Sequence, residues 1–159
     1  MTEERKITGG CQCGAVRYAA SSLGRASICH CRMCQKAFGS FFGPLVTAHA
    51  LIWTRGEPKR FESSNLVRRG FCGECGTPLT YECAGEVEIS IGSLDDVSVG
   101  APVIEVNPEN KVSFFAHLAS LPDREPAEIL ASVEFQKRII NHQHPDRDTD
   151  QWPPKERQS

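Results

Sequence analysis

Seven of the eight cysteines in this 159-residue chain fall into three clusters: Cys11-Gln12-Cys13, Cys29-His30-Cys31-Arg32-Met33-Cys34 and Cys72-Gly73-Glu74-Cys75-Gly76. Thiols grouped in this way close disulfides, cycle redox equivalents or collect a metal ion. In extended backbone, residues two apart share a face, so Cys11 and Cys13 can hold one ion, as can Cys29 and Cys31, with Gln12 and His30 turned away. The Cys72-Gly-Glu-Cys75 turn converges two sulfurs, and Gly76 permits the positive backbone angle of a knuckle whose amides point at sulfur.

Counting leaves two partitions for zinc. Two closed four-thiolate sites use all eight cysteines, whereas one closed site and one three-thiolate site use the clustered seven and leave Cys83 to pack as a small buried hydrophobe. A zinc ribbon joining Cys31 and Cys34 to Cys72 and Cys75 needs a shorter gap, about 15 to 20 residues, and strands Cys11 and Cys13. A redox role for the two Cys-x-x-Cys pairs lacks the βαβ pattern of a thioredoxin-like setting. His49, His117, His142 and His144 have no ligand-like spacing.

The elements that must position these sulfurs are short. Runs rich in β-branched and aromatic residues lie at Ala15–Ala19, Leu51–Thr54, Leu79–Cys83, Val87–Ile91 and Val103–Val106, separated by glycine turns, so the chain is expected to be mainly β. One helix is expected, over Asp123–Ile140, with Pro126 near its start and Ile129, Leu130, Val133, Phe135 and Ile139 roughly on one side. After Ile140 the composition turns to His, Gln, Asp, Arg and Pro, too little apolar surface to offset the entropy of ordering. A loosely held tail is expected there, with Trp152 as its docking point.

Length allows one well-cored domain, at residues 5–121, followed by a C-terminal helix and flexible tail at 122–159. An apolar fraction of 40% with 24% charged residues is that of a soluble globular protein, and no stretch approaches a membrane span. A formal net charge of -2 provides no field for a polyanion, which argues against nucleic acid. The opening Met-Thr-Glu-Glu-Arg-Lys lacks the apolar core of a secretory signal, so a cytoplasmic, reducing location is expected and disulfides are not.

The residues Gly9-Gly10-Cys11-x-Cys13-Gly14-Ala15-Val16-Arg17-Tyr18, Cys29-His30-Cys31-x-x-Cys34 and Arg69-Gly70-Phe71-Cys72-x-x-Cys75-Gly76-Thr77-Pro78-Leu79 resemble the glutathione-dependent formaldehyde-activating family, also called the centromere-protein-V family. Further matches are Arg55-Gly56-Glu57-Pro58-Lys59, Ser63-Ser64 and Gly92-Ser93-Leu94-Asp95-Asp96, so the resemblance spans Ile7 to Leu121. It implies a β-tent of small antiparallel sheets built around zinc, with two ions. Cys11, Cys13, Cys72 and Cys75 would hold the closed structural ion, and Cys29, Cys31 and Cys34 the open catalytic one. The sequence departs from the family near Pro102-Val103-Ile104-Glu105 and Phe114-Phe115, where many relatives carry a histidine and a tryptophan.

By the same resemblance, the activity is a zinc-dependent carbon–sulfur lyase or synthase that joins a glutathione-like thiol to a small aldehyde. Glutathione is the expected co-substrate, neither nucleic acid nor membrane is a partner, and a homodimer is admitted. Arg32, Lys36 and Arg69 are candidate anchors for its carboxylates, because guanidinium and ammonium groups bind carboxylates. Asp95, Asp96 and His30 are candidate proton relays. Phe38, Phe41 and Phe42 are read as core before they are read as a pocket wall. The rival is a noncatalytic zinc module for structure or protein interaction, in which the second site is closed, with Cys83 as a fourth ligand.

Overall fold

A computed structural model describes residues 6–153; the first five residues and the last six of the tail, both drawn on above, lie outside the described residues. In chain order the strands are β1 (Ile7–Gly10), β2 (Arg17–Ala20), β3 (Ser22–Cys29), β4 (Gly43–His49), β5 (Ile52–Arg55), β6 (Lys59–Glu62), β7 (Val67–Phe71), β8 (Pro78–Cys83), β9 (Glu86–Ser90) and β10 (Ile104–Val106). Helix α1 (Arg32–Phe38) lies between β3 and β4, and α2 (Pro126–Gln136) follows the last strand.

Two sheets result. A three-stranded antiparallel sheet has the order β1-β2-β5, and a seven-stranded sheet has the order β10-β3-β4-β9-β8-β7-β6. The mainly β architecture agrees with expectation, but the larger sheet is mixed, because β10 runs parallel to β3. All five expected strands are present, shifted by a residue or two. Where β8 turns into β9, Ala84 and Gly85 both have positive φ (50° and 84°), the geometry of a tight two-residue hairpin that follows the strand twist.

The core lies where the sheets meet. Tyr18, Val46, Leu79 and Ile89 are fully buried, each worth about 1.5–3 kcal/mol for its apolar surface, with Val16, Ile91 and Leu94 beside them. Cys11 and Cys72 belong to this same cluster, so one group of sulfurs is part of the core. The Tyr18 hydroxyl is 2.8 Å from Ser93 Oγ, and Gly9 lies so close that a Cβ there would come within 2.3 Å of that hydroxyl. Glycine at this position lets the small sheet close on the 91–94 turn.

Helix α1 is an element that the sequence did not announce. Its N-cap is Cys31, whose sulfur accepts the Cys34 amide, and it ends at Gly39 in the left-handed conformation (φ 58°). Helix α2 is shorter than the expected span; Glu125 and Glu128 form a capping box at its start and Pro126 sits in its first turn. Its apolar residues Leu130 and Phe135 stay exposed, and no residue of the helix is buried.

The stretch after Ile140 is held at several points besides Trp152. The His144 amide donates to Gln12 O (2.7 Å), Arg17 pairs with Asp148 (2.8 Å), Arg55 donates to the Thr149 carbonyl, and Trp152 Nε1 donates to Cys13 O (2.6 Å). The His144 ring is buried against Gly14 (φ +83°), where a Cβ would lie 2.1 Å from it. Residues 143–152 therefore form a strap across the loop that carries Cys11 and Cys13.

Candidate metal centres

All eight cysteines are free thiols, and the structure gathers seven of them into two groups, Cys11/Cys13/Cys72/Cys75 and Cys29/Cys31/Cys34, with the sulfurs of each group within 4.8 Å of one another. In the first group two similar turns face each other: Gly14 N donates to Cys11 O (3.0 Å) and Gly76 N to Cys72 O (2.9 Å). Both glycines have positive φ, 83° and 77°, which fold the chain back so that a second cysteine joins the first. The Val16 amide donates to Cys11 Sγ (3.2 Å), the Glu74 amide to Cys72 Sγ (3.4 Å), and Thr77 Oγ1 lies 3.1 Å from Cys75 Sγ.

Zinc at about 2.3 Å from each sulfur sets tetrahedral edges of about 3.8 Å. The Cys11–Cys13 and Cys13–Cys72 sulfur separations are 3.5 and 3.8 Å, so the first group fits a closed four-thiolate ion. The protons of this cluster are unevenly held. Burial pushes the Cys13 and Cys72 thiols up, whereas at Cys75 burial is outweighed by the hydroxyl and amide of Thr77 and by Cys13, which hold its thiol down at about 6. A cation entering this group displaces the remaining protons.

The second group is built by the end of β3 and the start of α1, and each of its three sulfurs receives one N–H. Asn107 Nδ2 donates to Cys29 (3.4 Å), the Cys34 amide to Cys31 (3.3 Å) and Arg69 Nη2 to Cys34 (3.3 Å). Such donors favour thiolate over thiol and orient the sulfurs, as outer-shell partners of metal ligands do. Burial would raise Cys31, but the Cys34 amide, its neighbouring sulfurs and Arg69 hold it below its ordinary value, while burial pushes Cys34 up to about 12 against the pull of Arg69. Three sulfurs without a fourth suit an ion with an exchangeable position. They open on a cavity of about 430 Å³ whose walls include Met33, Tyr81, Arg69, Glu88, Asn107 and Asn110.

Cys83 belongs to neither group; it lies half-buried at the end of β8. Of the candidate anchors, Arg69 lines this cavity and is 3% exposed, whereas Arg32 and Lys36 are exposed on α1, with Arg32 bonded to Gln35 Oε1 (3.1 Å). Of the candidate relays, none lines it. His30 is turned away from the sulfurs and fully buried, its ring edge-on to Phe115 (4.8 Å between centroids) and 3.5 Å from Glu105 Oε1. Asp95 is committed to Arg17 (2.7 Å) and Thr8, next to the closed group. Asp96 accepts the Ser98 amide (3.1 Å) at the start of a 3-10 turn.

Phe38 lines a second cavity of about 350 Å³, with Phe61 and Phe71, while Phe42 packs on His30 and Phe115 and Phe41 packs on Phe114. Sequence reasoning missed Asn107. Its only signal is its place before Pro108, in a left-handed conformation (φ 53°) that asparagine tolerates better than most residues.

Among solved structures, a protein of Rhodobacter sphaeroides has the same fold, with a TM-score of 0.51 at 23% identity over 62% of this chain and 99% of that one. No curated protein matches the chain. The family model described as glutathione-dependent formaldehyde-activating enzyme matches residues 6–110, a stretch that holds both cysteine groups, Arg69 and Asn107. On that match the chain belongs to the glutathione-dependent formaldehyde-activating enzyme family.

Proposed function

We propose that the protein is a zinc-dependent carbon–sulfur lyase or synthase, which joins a glutathione-like thiol to a small aldehyde and cleaves the adduct in reverse. The observation that carries this reading is the three-cysteine group with one N–H donor per sulfur, facing a cavity of about 430 Å³, beside a group of four that is complete in itself. Zinc held by Cys29, Cys31 and Cys34 would supply a coordination position at which a thiol is deprotonated and held near neutral pH.

The chain's own contribution is placement. Asn107, the Cys34 amide and Arg69 fix the three sulfurs, and the cavity confines an aldehyde beside the bound thiol. Holding two reactants in register is worth up to about 7–11 kcal/mol, far more than ionising a thiol whose unperturbed pKa is about 8.5. Arg32 and Lys36, exposed on α1, would meet glutathione's carboxylates, which lie several bonds from its sulfur. Eight free cysteines suit a reducing, cytoplasmic setting.

The test is metal content of the wild type beside a Cys29→Ser, Cys31→Ser double variant, with glutathione titrated into each by calorimetry. Two zinc ions in the wild type, one in a folded variant, and glutathione binding lost with that ion support the reading. A wild type that ignores glutathione, or binds it equally without the second ion, refutes it and leaves a structural module.

A further inference from the structure

Arg68 and Arg69 are neighbours on β7 with opposite fates. Arg68 points outward and pairs with Glu82 (2.8 Å), while Arg69 points inward. Inside, Nε of Arg69 donates to Ser63 Oγ (3.0 Å), Nη2 donates to Cys34 Sγ (3.3 Å), and the guanidinium lies 5.0 Å over the Tyr81 ring. Its Nη1 is buried and has no hydrogen-bond partner, and among the described residues no carboxylate lies within ion-pair distance of it. A buried guanidinium nitrogen without an acceptor is costly, so it marks a place for an acceptor that arrives with the substrate.

The second cavity bordering Arg69 is walled by Phe38, Phe61 and Phe71 and supplies no anion. The first contains the three sulfurs and Glu88, half-buried, whose carboxyl is pushed above its ordinary range by burial and by Glu86. Nη1 shares its guanidinium carbon with Nη2, which lies 3.3 Å from Cys34 Sγ, so an acceptor for it stands close to Cys34, where the thiol and aldehyde of the proposed reaction meet.

We propose that Arg69 is a catalytic residue whose free Nη1 holds the aldehyde oxygen as it becomes the oxygen of a hemithioacetal. This rests on the function proposed above and adds to it the group that holds the oxygen on the carbon attached to sulfur. In the forward direction the sulfur lone pair forms the C–S bond. The C=O π pair moves onto oxygen, where Arg69 stabilises it, and the proton lost from the thiol ends on that oxygen. In reverse the hydroxyl loses its proton, C=O re-forms, and the C–S pair leaves with sulfur; nothing is oxidised or reduced. Arginine stays protonated throughout, so its role is charge stabilisation rather than proton transfer.

The experiment compares wild type with Arg69→Lys and Arg69→Gln, zinc-loaded, measuring zinc content, glutathione affinity by calorimetry, and turnover of glutathione with formaldehyde. Because Nη2 also donates to Cys34, the second zinc should bind more weakly in Arg69→Gln, so both variants are assayed at saturating zinc and glutathione. With both sites filled, kcat should be lower by about a hundredfold to a thousandfold, the usual cost of one oxyanion donor. Added guanidinium ion should restore part of the Arg69→Gln loss. Ser63→Ala, which frees Nε at a half-buried position, should retain the fold and lose about tenfold in kcat only.

The proposal is overturned if Arg69→Lys and Arg69→Gln turn over within about threefold of wild type. A loss that disappears once zinc and glutathione are saturating also overturns it, because Arg69 would then hold only the metal site or the tripeptide. If the Arg69 variants do not fold, an unchanged kcat in Ser63→Ala overturns it. A wild type that binds glutathione through the second ion but adds no aldehyde sinks this inference alone; one that does not bind glutathione sinks the function beneath it as well.

Discussion

Replacing Gly14 by alanine should act through the strap. The substitution has two separable costs. Holding a β-carbon at φ +83° costs about 1–2 kcal/mol. The new methyl would also lie 2.1 Å from the His144 ring, so the ring must leave its seat. With it go the His144 amide bond to Gln12 O and the Arg55–His144 contact (3.3 Å), at about 1 kcal/mol each. The full-length protein should therefore lose about 3–4 kcal/mol, and a chain truncated after Ile140 only the first part. At about 2–4 °C per kcal/mol for this size, the zinc-loaded melting temperature should fall by about 6–16 °C in the full chain and about 2–8 °C in the truncated one. Hydrogen exchange should show protection lost across 143–149 in the full-length variant. Equal falls in both backgrounds, or undisturbed protection, would refute the strap's energetic link to the Cys11–Cys13 loop.

Asn107→Gly keeps the left-handed backbone but removes the donor to Cys29, so the second zinc should bind about tenfold to a hundredfold more weakly by chelator competition, with the first unaffected. Cys83→Ala should retain two zinc ions by elemental analysis; loss of one would place Cys83 in a metal site. Asp95 is opposed by burial, but its bonds to Arg17 and Thr8 hold its carboxyl below the ordinary value. Its contribution is thus complete above about pH 4, the unfolded range, and fades as pH falls through the lower folded value. Asp95→Asn should accordingly reduce denaturant stability at pH 7 and flatten its decline below about pH 4.

The parts of the molecule legible in sequence are those set by local rules. Leu79–Cys83 and Val87–Ile91 read as strands because β-branched residues flank a glycine turn, and they pair as a hairpin. Strand β3 was not legible: Ser22–Cys29 mixes glycine, serine and arginine, and it forms because β4 and β10 lie on either side of it. Helix α1 is too short to show a period and is begun by a cysteine whose sulfur serves as cap. Three basic residues looked alike as carboxylate anchors, yet strand alternation sends Arg69 inward while α1 presents Arg32 and Lys36 to solvent. The strap was hidden for a different reason. It is polar, and its value depends on Arg17 and Arg55, distant in sequence, offering matching donors.

The strap also imposes an order in time. The ligands of both cysteine groups precede residue 76, whereas the strap is made of residues 143–152, beyond the stretch that the family model matches. On a ribosome adding about 5–20 residues per second, the knuckles emerge seconds before the segment that pins them. A metal ion can enter the four-cysteine group while the Cys11–Cys13 loop is still free to move, and the last part of the chain then clasps that loop through Gln12, Cys13 and Gly14. The order of synthesis thus sets the order of assembly: the sulfurs are available to an ion before His144 and Trp152 fasten the loop that carries two of them.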